Sequence, residues 1–135
     1  MRKKIVAIIE KGNTEGYSIY AANDLPLFAD GLTEQEARDE FLALVPEQAE
    51  YMKEKTGQYP DWYDGEFNVE FRYDMTAFFE NFPFLNITNF AKSVGINPAL
   101  MRKYRSGMAK ASEKQKTIIQ LGFDDMVSRL NLVRF

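Results

Sequence analysis

The side chains best equipped for selective chemistry here are amides, hydroxyls and cations, and they crowd into one stretch. Lys92, Asn97, Arg102, Lys103, Arg105, Ser106 and Lys110 all fall within residues 92–110. Their types suit DNA. An Asn carboxamide can pair in bidentate fashion with adenine, an Arg or Lys can do so with guanine, and the methyl of Ala99 can meet a thymine methyl. Lys92, Ser106, Lys110 and a helix N-terminus at Asn97 suit phosphate oxygens. Any one of these charges describes an ordinary solvated surface; their clustering on one helix points to nucleic acid.

Most catalytic chemistry is excluded by what is missing. The chain has no cysteine and no histidine, so it has no thiolate nucleophile, no Ser-His-Asp triad and no usual zinc site. Carboxylates remain, but magnesium-dependent nuclease chemistry needs three or four of them converging on paired ions. Asp24 and Asp30 fall on a loop, Glu10 ends a strand, and Glu70 points outward from another. Nothing in their spacing gathers them, so a non-enzyme is expected, without cofactor or metal.

The elements that would position the basic cluster are helical. Asp74 can cap a helix over 75–82, which Pro83 stops. Asn86 caps 87–94, and Gly95 ends it. Asn97 caps again with Pro98 at the first helical position, and that helix runs to Arg105 before Ser106-Gly107. Two short helices joined by a glycine turn define a helix-turn-helix, though an ordinary αα-hairpin would carry the same caps. Ala91 is the small residue at the crossing, Gly95 takes the turn, and Phe90, Val94, Ile96, Met101 and Tyr104 supply the shared core. Ser112 and Gln115 open a last helix with an apolar stripe of Ile119, Phe123, Met126, Val127 and Leu130, weakened by Gly122. Residues 132–135 read as a short terminal strand.

The earlier part of the chain has a different period. Residues 4–11 are β-branched and apolar, a buried strand; 17–22 alternate, and the turn residues 12–16 close a hairpin. A brief third strand is expected at 27–29. Thr33 and Glu36 form a capping box for a helix to about Lys55, with Ala37, Phe41, Leu44, Val45, Gln48 and Met52 at helical spacing. Pro46 should kink or split it. After a loop over 57–65, residues 67–73 alternate as a half-buried strand. Trp62, with Tyr59 and Tyr63, is either core packing or an interface anchor.

Charge divides the same way. Residues 1–74 hold 8 Lys/Arg against 16 Asp/Glu, a net of −8; residues 75–135 hold 9 against 4, a net of +5. With 135 residues, 45% of them hydrophobic, the chain can form two small modules, 1–74 acidic and 75–135 basic. The expected class is α+β.

The segment from Asn89 to Tyr104 resembles the repressor class of helix-turn-helix. The run Asn23-Asp24-Leu25-Pro26-Leu27-Phe28-Ala29-Asp30-Gly31 before Thr33-Glu34-Gln35-Glu36-Ala37, with Gly95-Ile96-Asn97-Pro98 in the basic half, is similar to the HicB antitoxin family. Leu27-Phe28 stands where the family often has Gly-Cys, and the loop at 59–64 is longer and more aromatic. The resemblance implies a partial, non-catalytic RNase H-like domain at the N-terminus. That domain would bind and mask a HicA-type mRNA-cleaving toxin, with Asp24, Leu27, Phe28, Asp30 and Trp62 as candidate contacts. The C-terminal domain would bind operator DNA and repress. A module of net −8 suits a cationic partner. The alternative is a stand-alone regulator whose first half senses a ligand or oligomerises.

One recognition helix reads few base pairs, so a homodimer or a dimer of dimers is expected; the stripe of the last helix is either its seam or core packed on Phe78, Phe82 and Phe90 within one subunit. The apolar run at 5–9 is too short for a signal peptide or membrane span, which fits a cytoplasmic protein without membrane contact.

Overall fold

The computed structural model describes residues 3–12 and 15–135; Met1, Arg2 and the expected turn residues Asn13 and Thr14 lie outside the described residues. The fold is mixed α+β, with four strands and five helices among them. Contacts divide it into two compact units, Met1–Phe78 and Phe79–Phe135.

In the first unit, β1 (Lys3–Lys11), β2 (Tyr17–Ala21) and β3 (Phe28–Gly31) form an antiparallel meander. Helix α1 (Glu34–Thr56) then crosses over to β4 (Phe67–Tyr73), which pairs parallel with β1, giving the order β3-β2-β1-β4. Parallel pairing of β1 and β4 requires such a crossover. The period-2 pattern of β1 sends Ile5, Ala7 and Ile9 to the core, where all three are wholly buried. Ala37, Phe41, Val45 and Ala49 of α1 meet them, also wholly buried, with Leu44 and Met52 packed at the margin.

The helix starts as expected. The Thr33 hydroxyl accepts from the Glu36 amide at 3.1 Å, while the Glu36 carboxylate reaches one residue further back than a capping box does, to the amide of Leu32 at 3.1 Å. Pro46 does not split it: α1 is one helix of 23 residues. Phe41, Val45 and Ala49 continue on one face across the proline. Their burial against the sheet offsets a backbone cost of about 3 kcal/mol.

Helix α2 (Met75–Asn81) begins in the first unit and ends in the second. The Asp74 carboxylate accepts from the Ala77 amide at 3.1 Å, the Asp74 amide donates to the Ile9 carbonyl at 2.9 Å, and the Lys11 amide donates to the Thr76 hydroxyl at 3.1 Å. These bonds, with wholly buried Ala77, carry the first unit past Asp74 to Phe78.

The second unit adds α3 (Ile87–Val94), α4 (Pro98–Ser106) and α5 (Glu113–Leu130). Ser112 caps α5 by accepting from the Gln115 amide at 3.1 Å. The expected strand at 132–135 does not form. Its backbone instead turns back on the helix end: the Leu132 amide donates to Arg129 and the Val133 amide to Leu130, both at 3.1 Å. No described helix is long and apolar enough to cross a membrane.

Candidate nucleic-acid interface

The turn between α3 and α4 is fixed by backbone hydrogen bonds. The Ile96 amide donates to the Ala91 carbonyl at 2.9 Å and the Gly95 amide to Lys92 at 3.2 Å, with Gly95 left-handed at φ 75°. That pair of bonds is a Schellman end, and the apolar residue following it, Ile96, is buried as the motif prefers. One residue later the Asn97 side chain accepts from the Ala99 amide at 2.8 Å, so α4 starts at once in a new direction. Asn86 caps α3 in the same manner, from the Asn89 amide at 2.9 Å.

Packing sets which way α4 faces. Phe90, Ala91, Ile96, Met101 and Tyr104 are buried. Ala91 is wholly buried, so the helices cross where only a methyl fits. Helix α5 completes this core with Ile119 and with Phe123, whose ring stacks on Phe90 at 4.7 Å and 15°. Gly122 belongs to the same contact. A Cβ there would come within 2.4 Å of the Val94 side chain, so this glycine permits close approach and is more than a weak point of the helix.

With Met101 and Tyr104 turned inward, helical geometry sends Ala99, Arg102, Lys103 and Ser106 to the opposite, exposed face. Lys92, Arg105 and Lys110 are exposed as well. Among the described residues Lys92, Lys103 and Arg105 pair with no carboxylate. Arg102 donates from Nη1 to the Thr88 hydroxyl on α3 at 3.1 Å, which holds the guanidinium across the two helices. Thr88 escapes a sequence reading because no helix period marks it; only the crossing brings it to Arg102.

Two of the expected DNA contacts also bond within their own helix ends. The Asn97 side-chain oxygen caps α4 with one of its two lone pairs. The Ser106 hydroxyl donates to the Lys103 carbonyl at 3.2 Å and accepts from the Met108 amide at 3.4 Å. These bonds close the end of α4.

The candidate contacts of the first unit divide more sharply. Leu27 is 2% exposed and Trp62 is 9% exposed, and both belong to the core. Leu27 therefore turns inward before β3. Trp62 lies edge-on to Tyr63 at 6.3 Å, and Tyr63 in turn contacts Tyr59 and Phe67, so the aromatic loop plugs the sheet and presents no tryptophan. Phe28 is 59% exposed, and Asp24 and Asp30 are exposed. Strand alternation places Phe28 and Asp30 together on the sheet face away from α1, because Ala29 between them is buried in the core. Asn23 and Asp24 are both left-handed, at φ 61° and 57°, a turn that these side chains tolerate.

The carboxylates named for metal chemistry are not gathered. Glu70 pairs with Lys4 at 3.1 Å and with Arg72, and no group of three or more acidic side chains able to hold a metal occurs among the described residues. Hydrogen bonds from Lys4 and Arg72 hold the Glu70 carboxyl below its ordinary pKa. Comparison with known proteins assigns no relative: no family model, no curated protein and no solved structure matches the chain significantly.

Proposed function

We propose that this chain is an antitoxin-repressor of the HicB kind, in which α4 reads operator DNA and the sheet unit binds and masks a HicA-type RNA-cleaving toxin. The observation that carries the DNA half is the outward face of α4, where Ala99, Arg102 and Lys103 lie opposite a buried Met101 and Tyr104. It belongs to a pair of short capped helices joined by a turn at Gly95, the arrangement a helix-turn-helix needs. Lys92, Arg105 and Lys110 surround that face with positive charge for phosphates. The toxin half is supported by the topology: a β3-β2-β1-β4 sheet, antiparallel except for β4 after the α1 crossover, suits a partial RNase H-like domain. Its exposed Phe28 and Asp30 offer an apolar anchor beside a negative charge for a cationic partner.

The test has two arms. Fluorescence anisotropy on DNA from the chain's own promoter should show specific binding, and Arg102→Ala should cost about 1–3 kcal/mol of it, while Lys92→Ala weakens all DNA alike with a shallower salt dependence. An Arg102→Ala, Lys103→Ala double variant with unchanged operator affinity would remove α4 from the interface. Co-expression with the small basic protein of a neighbouring reading frame should relieve its toxicity and yield a complex. A protein that represses but has no such partner would be a stand-alone regulator.

A further inference from the structure

Of the three cations on α4, Arg102 differs from Lys103 and Arg105 in having its head group held. Its Nη1 donates to the hydroxyl of Thr88, a half-buried residue on α3, at 3.1 Å. Both residues lie in a stretch without carboxylates, since no Asp or Glu occurs between Glu80 and Glu113. The partner is therefore neutral. A carboxylate at that place would orient the guanidinium too, but it would cancel the charge and compete with any other acceptor. A hydroxyl orients the fork and leaves the charge for a ligand.

Donor counting shows that holding and reading are compatible. A guanidinium carries about five N–H donors, so about four remain once Thr88 has taken one. A bidentate pair with guanine uses two of them, one to O6 and one to N7. Ala99 stands one turn before Arg102 on the same outward face, so the two can meet neighbouring bases. Lys103 follows Arg102 in sequence and therefore points about 100° further round the helix. It has no carboxylate partner among the described residues, and its ammonium is a point charge on a flexible stem, which suits a phosphate better than a base edge.

We infer that Thr88 is a positioning residue, which fixes the Arg102 fork for a guanine of the operator, while Lys103 meets the DNA backbone. The inference rests on the repressor reading and adds to it the base under Arg102 and the α3 residue that sets specificity there. The advantage lies in prior order. A free Arg side chain surrenders rotamer freedom when it engages a base, and one already tied to α3 surrenders less. An exposed hydrogen bond adds little to folding stability, so its loss should register in recognition and leave the fold intact.

The test is anisotropy of the full chain on a duplex from its own promoter, with each guanine replaced in turn by 7-deazaguanine. That base keeps its pairing and O6 but lacks N7. Wild type should lose about tenfold in affinity at one guanine per half-site, and Arg102→Ala should be indifferent to the same replacement. Thr88→Val keeps the shape of the side chain without its hydroxyl. It should lower promoter affinity about fivefold and shrink the effect of that guanine to about threefold or less, with salt dependence and binding to unrelated DNA unchanged. Thr88→Ser should restore both, and melting followed by circular dichroism should match wild type throughout. Lys103→Ala should instead weaken every duplex alike and make the salt dependence shallower. A Thr88→Val protein that retains the full guanine effect would overturn the inference. So would one that melts early and loses affinity for all DNA equally, because Thr88 would then be structural. Specific promoter binding that is indifferent to Thr88 sinks this inference alone; a wild type that binds its promoter no better than unrelated DNA sinks the repressor reading and the inference together.

Discussion

The first unit builds its core from a sheet laid on one 23-residue helix, whereas the second packs short helices around Phe90, Ala91, Met101, Tyr104 and Ile119. The difference governs which residues are left to meet a partner. In the second unit the candidate contacts stand on α4, whose 3.6-residue period forces Arg102 and Lys103 outward once Met101 and Tyr104 are buried. In the first, Asp24, Leu27 and Trp62 stand on irregular segments where no period assigns a direction, and only Phe28 and Asp30 stand on a strand, β3. There the core draws in what is apolar and within reach: Leu27, Trp62 and Tyr63 turn inward, and Phe28 and the acidic side chains remain outside. A recognition surface on a helix is thus set by local geometry, and one on loops by competition with the core.

The largest effect that could break this comparison is expected at the centre of the sheet unit. Phe41 is wholly buried and meets Phe71 edge-on at 6.1 Å, so Phe41→Ala should cost about 3–5 kcal/mol in denaturant unfolding. Hydrogen exchange should locate the loss in the first unit. Equal loss of protection at α3 and α4 would show that the two units do not unfold separately.

Next comes the contrast between Trp62 and Phe28. Trp62→Ala should destabilise by about 3 kcal/mol, because the plug it forms with Tyr63 leaves a cavity. Phe28→Ala, at a side chain already 59% exposed, should leave the unfolding midpoint within about 0.5 kcal/mol of wild type. If the toxin reading holds, Phe28→Ala weakens the complex by at least tenfold in a titration, whereas Trp62→Ala acts only through stability. The reverse pattern would return Trp62 to the interface.

Gly122→Ala sharpens the account of the helical unit. On an open helix the change would stabilise by up to about 1 kcal/mol. Here the new methyl would meet Val94 at 2.4 Å, so a loss of about 1–2 kcal/mol is expected in thermal unfolding. A gain in stability would mean that α5 does not press on α3 at this point.

The smallest effect concerns Glu70. Lys4 and Arg72 favour its ionised form, so its pKa is lower folded than unfolded. The pair therefore stabilises the fold above the ordinary carboxylate pKa, and that contribution disappears as pH falls through the lowered value. Glu70→Gln should flatten the acid side of the stability profile slightly and leave neutral stability almost unchanged. The pair is open to water, so a steep acid transition that vanished in Glu70→Gln would contradict this reading.

Much of this molecule was legible before folding because its punctuation is local. Thr33, Asn86, Asn97 and Ser112 each cap a helix within three residues, and Gly95 ends one, so the starts and stops of α1, α3, α4 and α5 need only neighbouring atoms. The outward direction of Arg102 and Lys103 follows from the same local rules. Other features depend on residues far apart in the chain. The Arg102–Thr88 bond spans 14 residues, Gly122 answers to Val94, and α1 remains one helix through Pro46 because Phe41, Val45 and Ala49 face a sheet. Amino-acid order determined the elements, their caps and the polar face of α4, since hydrogen bonds and helical periods act over a few residues. Tertiary structure decided which loop residues are core and where α5 packs on α3, because burial depends on what the rest of the chain brings alongside.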